Sequence, residues 1–298
     1  MALTLCDTQT NEQGRELARH GTVQFPIACY HDDLTAAPVP WHWHPELEVF
    51  TVSEGTAVAA AGAERFTLRR GEGMFINAGV LHAVWGHGGA RCRLHSAVFH
   101  PRLVGGSLDS VFWSKYLQPL VGKGGQACVH FNGSENWHMQ AVQSVERAWS
   151  SCAQEQPGYE FQVREELSRL ILLLARRHAP AFSAKSEKVL RDEGRVKRML
   201  EYIHRNYAAR LTTAGIANAA AVSESECLRC FRSVIGQPPI QYVTQYRIQR
   251  AAEFLSASTL SIAEIGAKCG FQDASYFAKT FHALKECTPS DYRRRSKL

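Results

Sequence analysis

Between residues 211 and 281 the chain carries one pattern twice. LTTAGIANAAAVSESECLRCF (211–231) lies against LSIAEIGAKCGFQDASYFAKTF (260–281). Thr212 matches Ser261, Ile216 matches Ile265, Ala217 matches Gly266 and Val222 matches Phe271, all at an offset of 49. One residue is then inserted, and Cys227, Arg229 and Phe231 match Phe277, Lys279 and Phe281 at an offset of 50. Each copy predicts a capped helix, a tight turn of small residues and a second helix. Ser261 and Glu264 make an S-x-x-E capping box, whereas Gly215 holds the carboxylate's place in the first copy. In GFQDASYFAKTF, Gly270 reads as a turn, Asp273 as a helix cap, and Phe277 and Phe281 as one buried face. The other face keeps Ala274, Ser275, Ala278 and Lys279.

Two helices joined by a tight turn, the second with small residues and a cation on its open face, match the geometry that enters a DNA major groove. Small residues let the backbone approach the bases, and Arg229 or Lys279 can then reach guanine edges or phosphates. Charge agrees with this. Residues 1–183 hold 15 Lys and Arg against 17 Asp and Glu, while residues 184–298 hold 19 against 11. The basic half is the one that carries the repeat, as a polyanion partner requires. Cys227 and Cys230 are expected in the core rather than on a metal, because Cys227 aligns with Phe277 and no second Cys or His pair lies nearby.

IAEIGAKCGFQDASYFAKTFHALKECTPSDYR resembles the C-terminal signature of AraC/XylS-type transcription regulators. VSESECLRCFRSVIGQPPIQYVTQYRIQRA is similar to the first helix-turn-helix and connecting helix of that family, and the resemblance covers about 190–295. It implies that Ser225, Leu228 and Arg229 face bases in the first module, and Ala274, Ser275 and Lys279 in the second. Arg247 and Arg250, on the connecting helix at 238–254, are expected at phosphates. Glu286 departs from the family's usual Gly before TP. The implied partners are double-stranded DNA, a small-molecule effector and a second copy of the chain, with RNA polymerase as a candidate.

The front of the chain is built differently. Residues 21–100 alternate short apolar runs with Gly-containing turns every eight to twelve residues, the rhythm of a β-barrel or sandwich. HWHPELEVFTVSEG (42–55) fits H-x-H-x3-E-x6-G, and GEGMFINAGVLHAVWG (71–86) returns His82. His42, His44 and Glu48 share parity, so one extended strand would point all three to one face. These stretches resemble the two cupin motifs, with Asn77 for the usual Pro and Gly86 for the usual Asn. The resemblance implies a cupin-like domain in which His42, His44, Glu48 and His82 bind either a divalent ion (Mn, Fe, Ni or Zn) or a small polar effector such as a sugar. Trp41, Trp43 or Trp85 is expected near the mouth. From about 108 to 180 the pattern turns helical, with stripes at Met139, Val142, Trp149 and Cys152 and at Phe161, Leu167, Leu170, Ile171 and Leu174.

The expected architecture is multidomain α+β. A cupin-like β-barrel effector domain spans 1–107, a helical segment at 108–181 is the candidate for pairing subunits, and a polar linker covers 182–194. An all-α DNA-binding domain at 195–298 holds modules at 211–232 and 261–282. No run approaches the apolar length of a bilayer span, and MALTLCDTQTNEQG lacks the signature of a signal peptide. Nine cysteines without a pairing rhythm fit reduced thiols in the cytoplasm, and the chain is expected to be a regulator rather than an enzyme. The rival is a metal-dependent cupin oxygenase or isomerase using the same four residues. Such an enzyme has no need of a basic double helix-turn-helix tail.

Overall fold

Strand alternation builds the N-terminal unit. In chain order its strands are β1 (Leu3–Thr4), β2 (Ile27–Asp33), β3 (Val39–His42), β4 (Leu47–Glu54), β5 (Thr56–Ala61), β6 (Glu64–Arg69), β7 (Gly73–Ile76), β8 (His82–Gly86), β9 (Arg93–Phe99) and β10 (Cys128–Phe131). They form a six-stranded sheet, β1-β2-β9-β4-β7-β10, and a four-stranded sheet, β3-β8-β5-β6. This computed structural model describes residues 3–4, 10, 15–122, 125–178, 187–285 and 287–295. The chain divides into two units, Met1–Leu190 and Arg191–Leu298.

Parity on β4 sets the layers. Phe50 and Val52 face the second sheet and join Met74, Ile76, Ala57, Ala59, Leu68 and Val84 in one core. Leu47 and Val49 face the other way and join Phe75, Ala97, Phe99 and the helices in another. Glu48 shares parity with Phe50, so it points between the sheets.

The helices of this unit are α1 (Arg102–Gly105), a π-helical turn at Trp113–Leu117, α2 (Gln118–Val121), α3 (Asn136–Gln154) and α4 (Tyr159–His178). Trp137, Ala141, Val145, Ala148 and Cys152 of α3, with Val163, Leu167, Leu170, Ile171 and Leu174 of α4, pack on the six-stranded sheet. The expected stripes need correcting at two positions. Met139 is 56% exposed and Phe161 80% exposed. The inward face of α3 includes two small residues, Ala141 and Ala148, which a search for large apolar side chains passes over. The segment expected to stand apart as 108–181 spends its main apolar faces on the sheet and lies in the same unit.

The expected linker also changes. α5 runs Glu187–Asn206, so residues 187–194 of the polar stretch are helical, and the remainder lies outside the described residues. The apolar stripe of this helix, Val196, Met199, Leu200 and Ile203, is buried. Asp192 is itself buried, held by hydrogen bonds.

The repeat folds as its residues dictate. α6 (Thr213–Ala219) and α7 (Glu224–Val234) form the first module, α8 (Pro239–Ala257) connects, α9 (Ile262–Lys268) and α10 (Ala274–Lys285) form the second, and α11 (Pro289–Arg295) follows. Thr212, Ser223, Ser261 and Asp273 each cap a helix through a backbone N–H, and Ser261 with Glu264 completes the capping box. Gly270 turns the chain at φ +83°, where a Cβ would lie 2.8 Å from the carbonyl oxygens of Tyr207 and Ala208. Ala221 makes the same turn in the first module at φ +53°. Cys227, Cys230, Phe231, Phe277 and Phe281 are fully buried. The eight cysteines among the described residues are all free and buried. Glu286 lies outside the described residues.

Candidate functional site

His42 and His82 are direct cross-strand partners on β3 and β8. Glu48 comes from β4 in the opposite sheet, and His44 from the turn between them. The four residues therefore meet, but not by parity along one strand. The strand ends at His42, Pro45 lacks the N–H that a continuing ladder would use, and the chain crosses between sheets there. All four side chains are buried, and one ligand atom from each lies within 4.8 Å of the others.

Their hydrogen bonds constrain the protons. Nδ1 of His42 donates to the carbonyl of Pro40 at 2.8 Å, that of His44 to Glu46 at 3.2 Å, and that of His82 to Val80 at 2.8 Å. A carbonyl only accepts, so each Nδ1 carries a proton and a neutral ring leaves its Nε2 lone pair facing inward. Nε2 of His44 and of His82 lie 3.1 and 2.8 Å from the same Glu48 oxygen, which also only accepts. A proton or a cation must sit between these atoms. Burial opposes charge on His82, yet the Glu48 carboxylate raises its pKa above the ordinary histidine value. Burial likewise opposes ionisation of Glu48, but His82 and His44 hold it well below the usual carboxylate range. Burial, then repulsion from His82, pushes His42 down to about 3, so it stays neutral.

Three imidazole Nε2 atoms and one carboxylate suit Mn, Fe, Ni or Zn, and Nδ1–carbonyl bonds are the outer contacts that orient metal-binding histidines. The residues present fit such an ion. Two further residues extend the cluster without any motif to announce them. Glu16 Oε2 lies 3.7 Å from His42 Nε2 and 3.2 Å from His20 Nε2, and His20 bonds the Tyr30 hydroxyl at 2.7 Å. Backbone pairing of Glu16 N–H to the Trp43 carbonyl brings them there. Both also line a 420 Å³ pocket with Arg15, Glu46, His100 and Arg102. Arg15 covers the Trp43 ring and Arg65 the Trp41 ring, while Trp85 is half-buried.

In the second unit, Ala274, Ser275 and Lys279 lie exposed on α10, opposite Phe277 and Phe281. Among the described residues the Lys279 ammonium has no hydrogen bond or ion pair. On α7, Ser225 is exposed and Leu228 half-buried. Arg229 is exposed too, but its guanidinium is held by Glu226 and Asp192 at 2.8 Å. The two connecting-helix arginines do not stand free toward a phosphate. Arg247 donates to the carbonyls of Tyr207 and Ala209 at 2.7 and 2.8 Å, closing the end of α5, and Arg250 is taken by Glu253 and Tyr207. Unpaired helix-end carbonyls attract such cations, which position along the sequence does not reveal.

Residues 24–222 match the AraC-like ligand binding domain, and residues 216–295 a helix-turn-helix domain. The chain belongs to the AraC family of transcription regulators. This AraC-family chain is 28% identical over 283 residues to YdeC, an uncharacterized HTH-type transcriptional regulator of Bacillus subtilis (strain 168), covering 94% of this chain and 96% of that one. It is 26% identical over 138 residues to the HTH-type transcriptional activator RhaR of Yersinia pseudotuberculosis serotype O:3 (strain YPIII), 46% of this chain and 47% of the other. A crystal structure of a transcriptional regulator with an AraC-type DNA-binding domain, from Chromobacterium violaceum, aligns at 27% identity and a TM-score of 0.34, covering 35% of this chain and 93% of that one. Among the described residues of this regulator no helix is long and apolar enough to cross a membrane.

Proposed function

We propose that this regulator binds specific DNA sequences and responds to a small polar, sugar-like effector held by His42, His44, Glu48 and His82 around a divalent ion. The supporting observation is the set of three Nδ1–carbonyl bonds, which leave three imidazole Nε2 atoms facing inward, two of them against the Glu48 carboxylate. When bound, the ion supplies an electrophilic centre that attracts hydroxyl or carboxylate oxygens. The chain's own residues orient the imidazoles and exclude water. Glu16, His20 and Arg102 offer hydrogen bonds to the effector's remaining polar groups along the pocket they share. On the DNA side, Ala274, Ser275 and Lys279 present the bare face that the groove requires, with Ser225 and Leu228 in the first module. Pairing of two copies through the outer faces of α3 and α4, contact with RNA polymerase and a cytoplasmic location complete the reading. The oxygenase or isomerase alternative is set aside, because the relatives are named as transcriptional regulators.

Elemental analysis of protein purified without chelator tests the metal. We expect about one equivalent of Mn, Fe, Ni or Zn, falling well below that in His44→Ala. Should the native protein stay metal-free after exposure to all four ions, the effector would instead contact these residues by hydrogen bonds. Isothermal titration of a monosaccharide panel into native and His82→Ala protein reads that contact directly. Equal affinities in the two would remove the cluster from the effector site. Selection of bound fragments from a genomic DNA pool, with and without those sugars, tests the regulator as a whole.

A further inference from the structure

The first recognition helix turns its central cation back on the protein. Arg229 Nε donates to Glu226 Oε2 at 2.8 Å and Nη2 to Glu226 Oε1 at 2.8 Å. The same Nη2 reaches Asp192 Oδ2 on α5, also at 2.8 Å. Arg195, one turn along α5, closes the group from the other side, 2.7 Å from Glu226 and 3.4 Å from Asp192. Two carboxylates and two guanidiniums thus satisfy each other where α7 meets α5, and the Asp192 side chain is only 8% exposed. A bidentate grip on guanine takes two neighbouring guanidinium nitrogens. Nη2 of Arg229 already serves two carboxylates and Nε serves one, which leaves Nη1 alone.

Another cation occupies the open face. Arg232 follows Ser225 by seven residues, two helical turns, and so shares its side of α7. It is exposed, and among the described residues its guanidinium has no ion pair or hydrogen bond. The offset of 50 pairs it with His282, exposed at the matching place on α10. Arg232 lies in the last turn of α7. Helix-turn-helix proteins meet base edges chiefly with residues nearer the start of this helix, so a cation at its far end meets the backbone.

We propose that Arg229 is a positioning residue that fixes the first recognition helix on α5, and that Arg232 is the cation this module offers to a DNA phosphate. The proposal rests on α7 being a groove helix. Its test uses the full chain and one duplex selected by the native protein from a random-sequence pool. Arg232→Ala should bind that duplex roughly tenfold more weakly, with the selected sequence unchanged and the slope of log affinity against log salt reduced by about one. Arg229→Ala should weaken binding with that slope intact. Asp192→Asn, which keeps every side chain near its size, should reproduce the loss, and the double variant should be no worse than either single. Thermal unfolding of each variant checks that the chain folds. If Arg229→Ala changes which base is selected while Asp192→Asn binds normally, Arg229 reads DNA and the proposal fails. An unchanged salt slope in Arg232→Ala also overturns it. Loss of binding in Lys279→Ala alone, with Arg229 and Arg232 variants all normal, would spare DNA binding by α10 and remove α7 from it. If the native chain selects no sequence, both readings fall.

Discussion

The two helix-turn-helix modules descend the same pattern with different wiring. In the second, Gly266 sits where a Cβ would lie 2.9 Å from the Phe277 ring, so the missing side chain makes room for an aromatic one. The first module exchanges both sizes at the matching positions, Ala217 for glycine and Cys227 for phenylalanine. The two changes run in opposite directions but compensate only in part, since the methyl gained at Ala217 is far smaller than the ring lost at Cys227. Their open faces differ more. Lys279 stands without a partner among the described residues, whereas Arg229 is bound to Asp192 and Glu226. A repeat thus conserves the core that every copy must build, and leaves each surface to be set by the neighbour it meets. Here the first module has α5 beside its recognition helix. α8, 19 residues and so about 28 Å long, joins the modules. That length suits two recognition helices meeting successive turns of DNA, about 34 Å apart.

The comparison can be broken most severely in the second core. Phe281→Ala removes a fully buried ring and should destabilise the C-terminal unit by about 3–5 kcal/mol. Denaturant unfolding followed by circular dichroism would read this; a loss below 1 kcal/mol would mean the aromatic core is not what holds that module. Next comes Lys279. Lys279→Ala should weaken specific binding by about 1–3 kcal/mol and leave unfolding unchanged. Gel retardation on a selected duplex checks it, and unaltered affinity would strip α10 of its reading role.

The clamp of the first module should reveal itself through pH. Hydrogen bonding to Arg229 holds the Glu226 pKa down to about 2, and Asp192 is lowered too, although burial works against it there. Carboxylates whose pKa falls on folding stabilise the protein above their unfolded values, near 4.5 and 3.8, and that support is lost as pH drops through the folded values. Native and Asp192→Asn proteins should therefore differ most in melting temperature near neutral pH and converge toward pH 2. A gap that widens on acidification would contradict the clamp. The smallest effect is in the turn. Ala221→Gly relieves a left-handed alanine that the second module avoids with Gly270, and should stabilise by about 0.5–1 kcal/mol, net of the added freedom of the unfolded chain. A lower melting temperature would show that Ala221 carries no strain.

Local rules made much of this legible. Caps at Thr212, Ser223, Ser261 and Asp273 depend on residues three apart, and buried Phe277 and Phe281 on a four-residue step, so both survive in sequence alone. The resemblance to the two cupin motifs named His42, His44, Glu48 and His82. What escaped was long-range. Glu16 reaches His42 through backbone pairing across the β3 end, the Arg247 guanidinium reaches carbonyls 38 to 40 positions away, and Asp192 joins Arg229 across 37. Arg232 and His282 were within reach, since the same offset that matched Arg229 to Lys279 pairs them as well.

By itself the sequence determined the repeat, the caps, the apolar faces of the recognition helices and the basic rear half, because each follows from periodicity, spacing or composition along one segment. The four residues of the cluster came instead from the resemblance to the two cupin motifs. Only the tertiary structure decided which charges are free. Two carboxylates, one of them from another helix, hold Arg229, while among the described residues Lys279 meets none. It likewise decided that Glu48 meets the histidines from the opposite sheet, and that α3 buries alanines while Met139 stays outside. These outcomes depend on which segments lie side by side in space, and that is settled only when the whole core closes.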